Sequence, residues 1–202
     1  MSLDPVNWTK YRPAPVVGCD EVGRGCLAGP VVAAAVILSK PLNGIFFDSK
    51  TLTESRREHL FEIIKAEHQW AVGLATVEEI DRLNILQASL LAMRRAVNKL
   101  RLDSGHVLVD GKFTIPRLPR LSQTALIKGD MRAEPVSAAS IVAKVTRDRM
   151  MKKLAEKFPH YGFEVNKGYG TLSHRRVLEK MGPTPHHRLT FAGVLPEQGA
   201  DL

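Results

Sequence analysis

The sequence predicts an α/β fold in which a mixed β-sheet is flanked by helices. Two observations lead to this class. Short apolar strands come first and then alternate with helices along the chain, an order typical of α/β proteins. The run Pro30–Leu38 is rich in β-branched residues and shows no alternation, which is typical of a strand covered on both faces.

The individual elements can be placed along the chain. The glycine turn Gly23-Arg24-Gly25 joins a first strand, Val16–Cys19, to the run at Pro30–Leu38, which predicts a hairpin. A helix then begins near Thr51 or Thr53, the first of which has a glutamate three positions on, as in a capping box. Further strands are predicted at Gln69–Val77, Val107–Val109 and Thr124–Ile127, and further helices from Ser137, with that serine as N-cap, and at Leu172–Met181.

The clearest helix carries an apolar stripe between Leu83 and Leu100. Its leucine, methionine and valine residues recur at spacings of three and four, which indicates one helix face packed on a core. We divide the chain into a polar N-terminal segment at 1–15, a main domain at 16–158 and a C-terminal helical and loop extension at 159–202, packed on the main domain.

Composition and charge favour a globular protein with a polyanionic partner. Hydrophobic residues make up 44% and charged residues 25% of the 202 residues, an ordinary balance for this class. The net charge of +8 favours phosphate-rich partners, because basic side chains near phosphates release condensed counterions. With only Cys19 and Cys26, a polar N-terminus and no apolar run of membrane-crossing length, we expect a cytoplasmic protein without a disulfide scaffold or membrane contact. The absence of a heptad seam favours a monomer.

Acidic side chains follow three predicted strands. Asp20-Glu21, Asp110 and Asp130 each come where an apolar run stops, and strand ends of an α/β sheet tend to meet at one edge. Carboxylates gathered there would repel one another unless divalent cations shared the charge, and oxygen ligands suit Mg²⁺ or Mn²⁺. Taken alone, each acid could equally be a turn residue or a helix cap.

Several ordered motifs resemble those of the ribonuclease HII family, and together they span about Val16 to Val194. They are Asp20-Glu21-Val22-Gly23-Arg24-Gly25, Leu27-Ala28-Gly29-Pro30, Asp48-Ser49-Lys50, Asn84-Ile85-Leu86, Val109-Asp110-Gly111, Lys128-Gly129-Asp130, Ser137 to Asp148, Tyr161-Gly162-Phe163, Lys167-Gly168-Tyr169 and His186-His187-Arg188.

This resemblance implies a ribonuclease H-like fold and an endonuclease that cuts the RNA strand of an RNA-DNA hybrid or nicks duplex DNA 5′ to a single ribonucleotide. The implied products carry a 3′-hydroxyl and a 5′-phosphate. By motif position, Asp20, Glu21, Asp110 and Asp130 would be the catalytic residues and would bind two divalent ions, Mg²⁺ or Mn²⁺.

The resemblance also implies substrate contacts. The turn Gly23-Arg24-Gly25 would sense the 2′-hydroxyl, and Tyr169 would stack on the sugar beside the scissile bond. Residues expected near phosphates are Ser49, Lys50, Ser137, Ser140 and Lys144. Arg147 would continue that basic face or simply be solvated, and for His186-His187-Arg188 we expect a nucleic-acid-facing or structural role over metal ligation.

The sequence departs from the family pattern at two positions. Cys26 and Gly170 stand where prolines commonly follow the glycine turn and the tyrosine. Because proline restricts the backbone, we expect weaker discrimination at an RNA-DNA junction but no loss of cutting. Back-substitution of both residues to proline should sharpen junction preference; an unchanged preference would refute this expectation.

Three alternatives remain open at this level. A ribonuclease HIII-like relative would share the acids but prefer long hybrids, although it typically carries an extra N-terminal domain and only about fifteen residues precede Val16 here. A non-catalytic nucleic-acid-binding protein would bind without cutting. A small-molecule phosphatase could use the same metals, but would not need so basic a chain.

Overall fold

A computed structural model describes residues 4–42 and 52–195. Its strands are β1 Val16–Val22, β2 Val31–Ile37, β3 Gln69–Ala75, β4 Gly105–Asp110 and β5 Leu121–Leu126. Its α-helices are α1 Glu54–Glu67, α2 Val77–Leu83, α3 Ile85–Lys99, α4 Glu134–Lys157, α5 Phe163–Asn166 and α6 Leu172–Met181. Short 3-10 helices lie at Trp8–Lys10, Gly129–Met131 and Pro159–Tyr161.

The strands form one mixed sheet in the order β3-β2-β1-β4-β5. The β1–β2 and β2–β3 pairs are antiparallel, whereas β4 is parallel to both β1 and β5. The prediction of a mixed α/β sheet is therefore confirmed, including the hairpin that opens it. Because β1, β4 and β5 run in the same direction, their carboxyl ends meet at one edge of the sheet.

Strand β2 is covered on both faces, as its unbroken apolar run predicts. Val31, Ala33 and Ala35 pack in a core with the apolar stripe of α3. Ala34 and Val36 face the opposite side and pack against α1 and α4. The alternation of a strand thus serves two cores, and small alanine side chains let the helices approach closely on both sides.

Two helix boundaries differ from the prediction. The stripe predicted as one helix from Leu83 to Leu100 is divided between α2 and α3 at Asn84, whose φ of 69° is incompatible with a continuous helix. The Asn84 side chain instead accepts hydrogen bonds from the N–H groups of Leu86 and Gln87 and caps α3. Similarly, α4 begins at Glu134, so Ser137 lies inside its first turn and is not the N-cap. For α1, Thr53 is the N-cap and accepts from the Arg56 N–H.

Described segments near both ends of the chain pack on the rest of the fold. After Pro159, Tyr161, Phe163 and Leu178 form a core with Leu27 and Met151. Near the other end, the Trp8 indole N–H donates to a Glu134 carboxylate oxygen at 3.0 Å. The division into segments 1–15, 16–158 and 159–202 stays a prediction. No helix among the described residues has the length and apolarity needed to cross a membrane.

Two buried histidines lie in the C-terminal core. His174 and His187 are 1% and 2% exposed, and their Nε2 atoms are 3.0 Å apart. Burial, and then the charge of His174, lowers the pKa of His187 to about 4. Burial also lowers the pKa of His174, and Arg175 adds to this effect. Both rings are therefore neutral in the native protein at pH 7.

Acid is expected to destabilise the fold between pH 6.5 and 4. The unfolded chain binds a proton at His187 near the ordinary pKa of 6.5, whereas the native state resists it, so stability present above pH 6.5 is lost as the pH falls. Urea unfolding at pH 5 should give a free energy of unfolding about 2 kcal/mol below that at pH 7. His187→Gln, which cannot titrate, should show a shallower decrease; an equal decrease would assign the acid sensitivity to other groups.

Candidate active site

Strand β1 brings two adjacent acids to the sheet edge. Asp20 and Glu21 lie within the last three residues of β1, inside the strand and not after it as predicted. Since neighbouring strand residues face opposite sides, Asp20 is directed toward α4 and Glu21 toward α3. Asp20 is only 6% exposed, and its Oδ1 accepts from the Glu21 N–H at 2.7 Å. Glu21 forms an ion pair with Arg24 at 3.2 Å.

Two more acids reach the same edge from β4 and from the segment after β5. Asp110 is the last residue of β4, and Asp130 lies in the 3-10 helix Gly129–Met131. Asp130 does not end a strand as predicted, because Lys128 adopts a left-handed conformation with φ 54° and turns the chain after β5. The Asp110 Oδ1 accepts from the Gly129 N–H at 2.7 Å, which ties the two segments together.

All four predicted acids line one cavity of about 440 Å³. The residues around it are Asp20, Glu21, Val22, Gly23, Arg24, Gly25, Arg57, Asp110, Asp130, Ser140, Lys144 and Tyr169. Ten of the thirteen site residues predicted from the sequence therefore line this cavity. The structure also adds Arg57, which sequence reasoning missed because a single arginine in a helix is ordinarily a solvated surface residue.

The acids repel one another in a partly dehydrated setting. Burial raises the pKa of Asp20 well above its ordinary value, and the charges of Glu21, Asp110 and Asp130 raise it further. Burial also raises the pKa of Glu21, although the nearby Arg24 guanidinium opposes this effect. Such a cluster is electrostatically costly without cations, so its chemistry suits a divalent metal.

The donor set fits hard divalent ions, although it is not a closed ligand cage. Across residues 4–42 and 52–195, no three Asp, Glu, His or Cys side chains already stand close enough to form a metal site by themselves. Mg²⁺ commonly takes only one or two carboxylates and completes its shell with water and substrate phosphate. The four acids around an open cavity match that mode of binding.

The glycine turn is held from behind by two buried arginines. Gly23 has φ 94°, and a Cβ there would lie 2.2 Å from the Arg147 Nε, so only glycine fits. Arg188 is fully buried and donates to the carbonyls of Gly23 at 2.6 Å and Arg24 at 2.8 Å. Arg188 was expected to have either a nucleic-acid-facing or a structural role, and these contacts support the structural one.

Arg147 corrects a prediction. It is fully buried, and it does not continue a basic surface beyond Lys144. Its guanidinium donates to the carbonyls of Ala28, Pro30 and Lys167 at 2.8–3.0 Å. Both the segment after the glycine turn and the segment before Tyr169 therefore lie close to this part of α4. Arg147 therefore joins the glycine-turn segment to the segment that carries Tyr169.

Tyr169 lies beside the glycine turn. Its backbone forms a β-bridge with Cys26, and the Leu27 N–H donates to the Gly168 carbonyl at 2.8 Å. Tyr169 is 40% exposed and lines the cavity, and burial raises the pKa of its hydroxyl, so the group stays protonated at neutral pH. Cys26, one of the two departures from the family pattern, is therefore in direct register with the tyrosine.

The predicted phosphate contacts fall into three groups. Ser140 and Lys144 line the cavity, and Lys144 pairs with Asp148 at 2.8 Å. Ser137 is fully buried one turn earlier in α4, and its contact with substrate stays a prediction. Ser49 and Lys50 lie outside the described residues. In the histidine pair of the sequence motif, His186 is exposed and His187 is buried.

The fold and the acidic edge define a class: nucleases with a ribonuclease H-like sheet. Ribonuclease H2 from Pyrococcus horikoshii superposes with a TM-score of 0.75 at 30% identity, covering 89% of this chain and 94% of that one. Ribonuclease H3 from Aquifex aeolicus superposes with a TM-score of 0.61 at 20% identity, over 86% and 71% of the two chains, and shows a shared fold.

Sequence comparison then selects among relatives of this class. The family model for ribonuclease HII matches residues 17–194. Ribonuclease HII of Paracidovorax citrulli is 56% identical over 189 residues, which covers 91% of this chain and 77% of that protein. The chain belongs to the ribonuclease HII family and is a metal-dependent endoribonuclease. This membership excludes the binding-protein and phosphatase alternatives.

Proposed function

We propose that the protein nicks duplex DNA on the 5′ side of a single embedded ribonucleotide and also cuts the RNA strand of RNA-DNA hybrids, leaving 3′-hydroxyl and 5′-phosphate ends. The observation that carries this proposal is the register of Tyr169 with Cys26, which sets a tyrosine ring and the glycine turn against the same cavity as the four acids. The tyrosine and the glycine turn, which would recognise the sugar of the ribonucleotide, thus line the same cavity as the acids that would cut the adjacent phosphodiester bond.

The acids would hold two divalent ions, Mg²⁺ or Mn²⁺, through Asp20, Glu21, Asp110 and Asp130. When bound, such ions supply an activated hydroxide and stabilise the leaving oxygen of an in-line displacement. The ordering of these side chains comes from the backbone, since Asp20 and Asp110 each accept a peptide N–H at 2.7 Å. Their carboxylates are thereby oriented before substrate arrives.

Cations and a helix terminus would position the phosphates. Arg57 and Lys144 contribute positive charge to the cavity wall, and Ser140 lies in the second turn of α4. The N-terminal end of a helix attracts anions through its dipole and its peptide N–H groups. Ser49, Lys50 and Ser137 are proposed to extend these contacts along the strand.

Recognition of the ribonucleotide would depend on the glycine turn and Tyr169. Peptide groups of Gly23-Arg24-Gly25 can approach a sugar closely because no Cβ stands in the way at Gly25, where the space is open. Tyr169 offers a ring face for stacking and a protonated hydroxyl for hydrogen bonding. The 2′-hydroxyl is the group that separates RNA from DNA at that position.

A comparison of two substrates tests this function. With Mg²⁺, we expect cleavage of both a long hybrid and a duplex with one ribonucleotide, and no cleavage of the matching all-DNA duplex. Tyr169→Ala should lower cleavage of the single-ribonucleotide duplex by about 10²-fold, because the sugar loses its stacking partner. Cleavage of the hybrid alone by the wild-type protein would contradict the proposal and favour a ribonuclease HIII-like preference.

The assembly and location remain predictions. We expect a monomer that acts on nucleic acid in the cytoplasm, without membrane contact.

A further inference from the structure

The buried pair of His174 and His187 contacts the backbone of Tyr169 and is not among the residues that line the cavity. His174 belongs to α6, and His187 follows that helix in the sequence. The rings of Tyr161 and Phe163 surround the pair, with centroids 5.2–6.4 Å from those of the two histidines. Neither histidine takes part in the metal or phosphate contacts proposed above.

The hydrogen bonds of the pair have only one consistent direction. The Thr184 N–H donates to the His187 Nδ1 at 2.9 Å, so that nitrogen carries no proton. A neutral His187 is then protonated at Nε2 and donates to the His174 Nε2 at 3.0 Å. His174 must in turn carry its proton on Nδ1, which donates to the Tyr169 carbonyl at 2.9 Å.

The surroundings keep this arrangement neutral. The charged or titratable groups that face the pair are Arg175 from α6 and His186 from the loop before His187, and both disfavour an added proton. The rings packed against the pair are those of Tyr161 in the 3-10 helix Pro159–Tyr161 and Phe163 in α5. A second proton on either histidine would also place two N–H groups against each other.

The chain of hydrogen bonds ends on the backbone of the residue that faces the substrate. The Tyr169 carbonyl accepts from His174 at 2.9 Å and also from the Thr171 N–H at 2.8 Å. The Tyr169 N–H donates to the Asn166 carbonyl at 2.9 Å, and the residue forms a β-bridge with Cys26. The peptide is thus held in place while its ring reaches the cavity. A shift of this peptide would move the ring relative to the acids.

We propose that His174 and His187 are positioning residues that set the placement of Tyr169 and, through it, the rate of cleavage at a ribonucleotide. This inference rests on the proposed role of Tyr169. It goes beyond a stabilising role in the C-terminal core, because it links the His174 Nδ1 to the backbone of the residue whose ring is proposed to contact the substrate.

Two substitutions at one position separate positioning from packing. His174→Asn places an amide near the original Nδ1, so it can still donate to the Tyr169 carbonyl but no longer reaches His187. His174→Gln places its amide near the original Nε2, so it retains contact with His187 but loses the one with Tyr169. Both remove a buried ring, and both should lower the melting temperature.

The kinetic readout is cleavage of the single-ribonucleotide duplex under matched conditions. His174→Gln should lower kcat by about tenfold with little change in KM, whereas His174→Asn should stay within about twofold of the wild type. In a Tyr169→Ala background, His174→Gln should cost no further activity. The inference would be overturned if both His174 variants lost the same activity. It would also be overturned if His174→Gln lowered kcat as much in the Tyr169→Ala background as in the wild type. Either result would leave the histidines with a packing role.

A second measurement is independent of activity. Nitrogen-15 NMR of the seven histidines should find His174 protonated at Nδ1 and His187 at Nε2, and ¹³C-labelled tyrosine spectra, with only three tyrosines to resolve, should show a shift of Tyr169 in His174→Gln but not in His174→Asn. The opposite tautomers would refute the proposed chain of hydrogen bonds from His187 through His174 to the Tyr169 carbonyl. If the wild-type protein fails to cut the single-ribonucleotide duplex, the proposed function fails, while these spectra still decide the positioning of Tyr169.

Discussion

Asp110→Asn is expected to lower cleavage by at least about 10³-fold, equivalent to about 4 kcal/mol of transition-state stabilisation. Asparagine has nearly the same shape, and its side-chain oxygen can still accept from the Gly129 N–H, so the link between β4 and the Asp130 segment should survive. What is lost is one negative charge among the four that would hold the metal ions. The measurement is single-turnover cleavage in Mg²⁺.

A matched control is available on the surface. Asp103→Asn removes the same charge from a side chain that is 97% exposed and pairs with Arg120 at 3.4 Å. It should leave cleavage within about twofold of the wild type, since exposed ion pairs contribute little. An Asp110→Asn protein that is folded and retains most of its activity would contradict the assignment of Asp110 to the metal site.

Gly18→Ala is expected to lower the free energy of unfolding by about 3 kcal/mol or more. A Cβ at Gly18 would lie 1.9 Å from the carbonyl carbon of Pro135 and 2.1 Å from its oxygen. Both are backbone atoms in the first turn of α4, so neither can rotate away, and β1 must separate from the helix. Asp20 on β1 and Ser140 on α4 both line the cavity, so a shift of the strand from the helix should also lower activity.

Gly25→Ala provides the comparison for stability. No atom lies within 4 Å of a Cβ at Gly25, and the substitution should change the free energy of unfolding by less than about 1 kcal/mol. Chemical denaturation of both variants measures the difference directly. Equal stability of the two variants would show that β1 and α4 do not approach as closely as described.

The sequence was most informative where local pattern and tertiary environment agree. The unbroken apolar run of β2 predicts burial on both faces, and the prediction of a helix at Leu172–Met181 is confirmed to the residue. The break at Asn84 was missed because the apolar stripe continues through it with the same spacing. An asparagine before Ile85 is itself a capping signal, and so is Pro135 near the start of α4.

The buried arginines could not be recognised from local sequence. The sequence around Arg147 and Arg188 does not distinguish them from ordinary surface arginines. Their hydrogen-bond partners are backbone carbonyls more than 100 positions away in the sequence, except for the Lys167 carbonyl that Arg147 also contacts. No residue type marks such acceptors. The acids and glycines of the site were predictable, because their chemistry is unusual at strand ends and their motifs resemble a known family. The buried arginines that hold the glycine turn in place were not predictable.

The four acids, the glycine turn and Tyr169 are proposed to form one site that cuts beside a ribonucleotide. The most direct test is nucleotide-resolution mapping of the products from an end-labelled DNA duplex with one ribonucleotide, incubated with Mg²⁺ or with EDTA. We expect a single nick on the 5′ side of the ribonucleotide, with a 3′-hydroxyl and a 5′-phosphate, present in Mg²⁺ and absent in EDTA. A nick on the 3′ side, a cyclic phosphate end, or cleavage that persists in EDTA would contradict the proposed metal-dependent site.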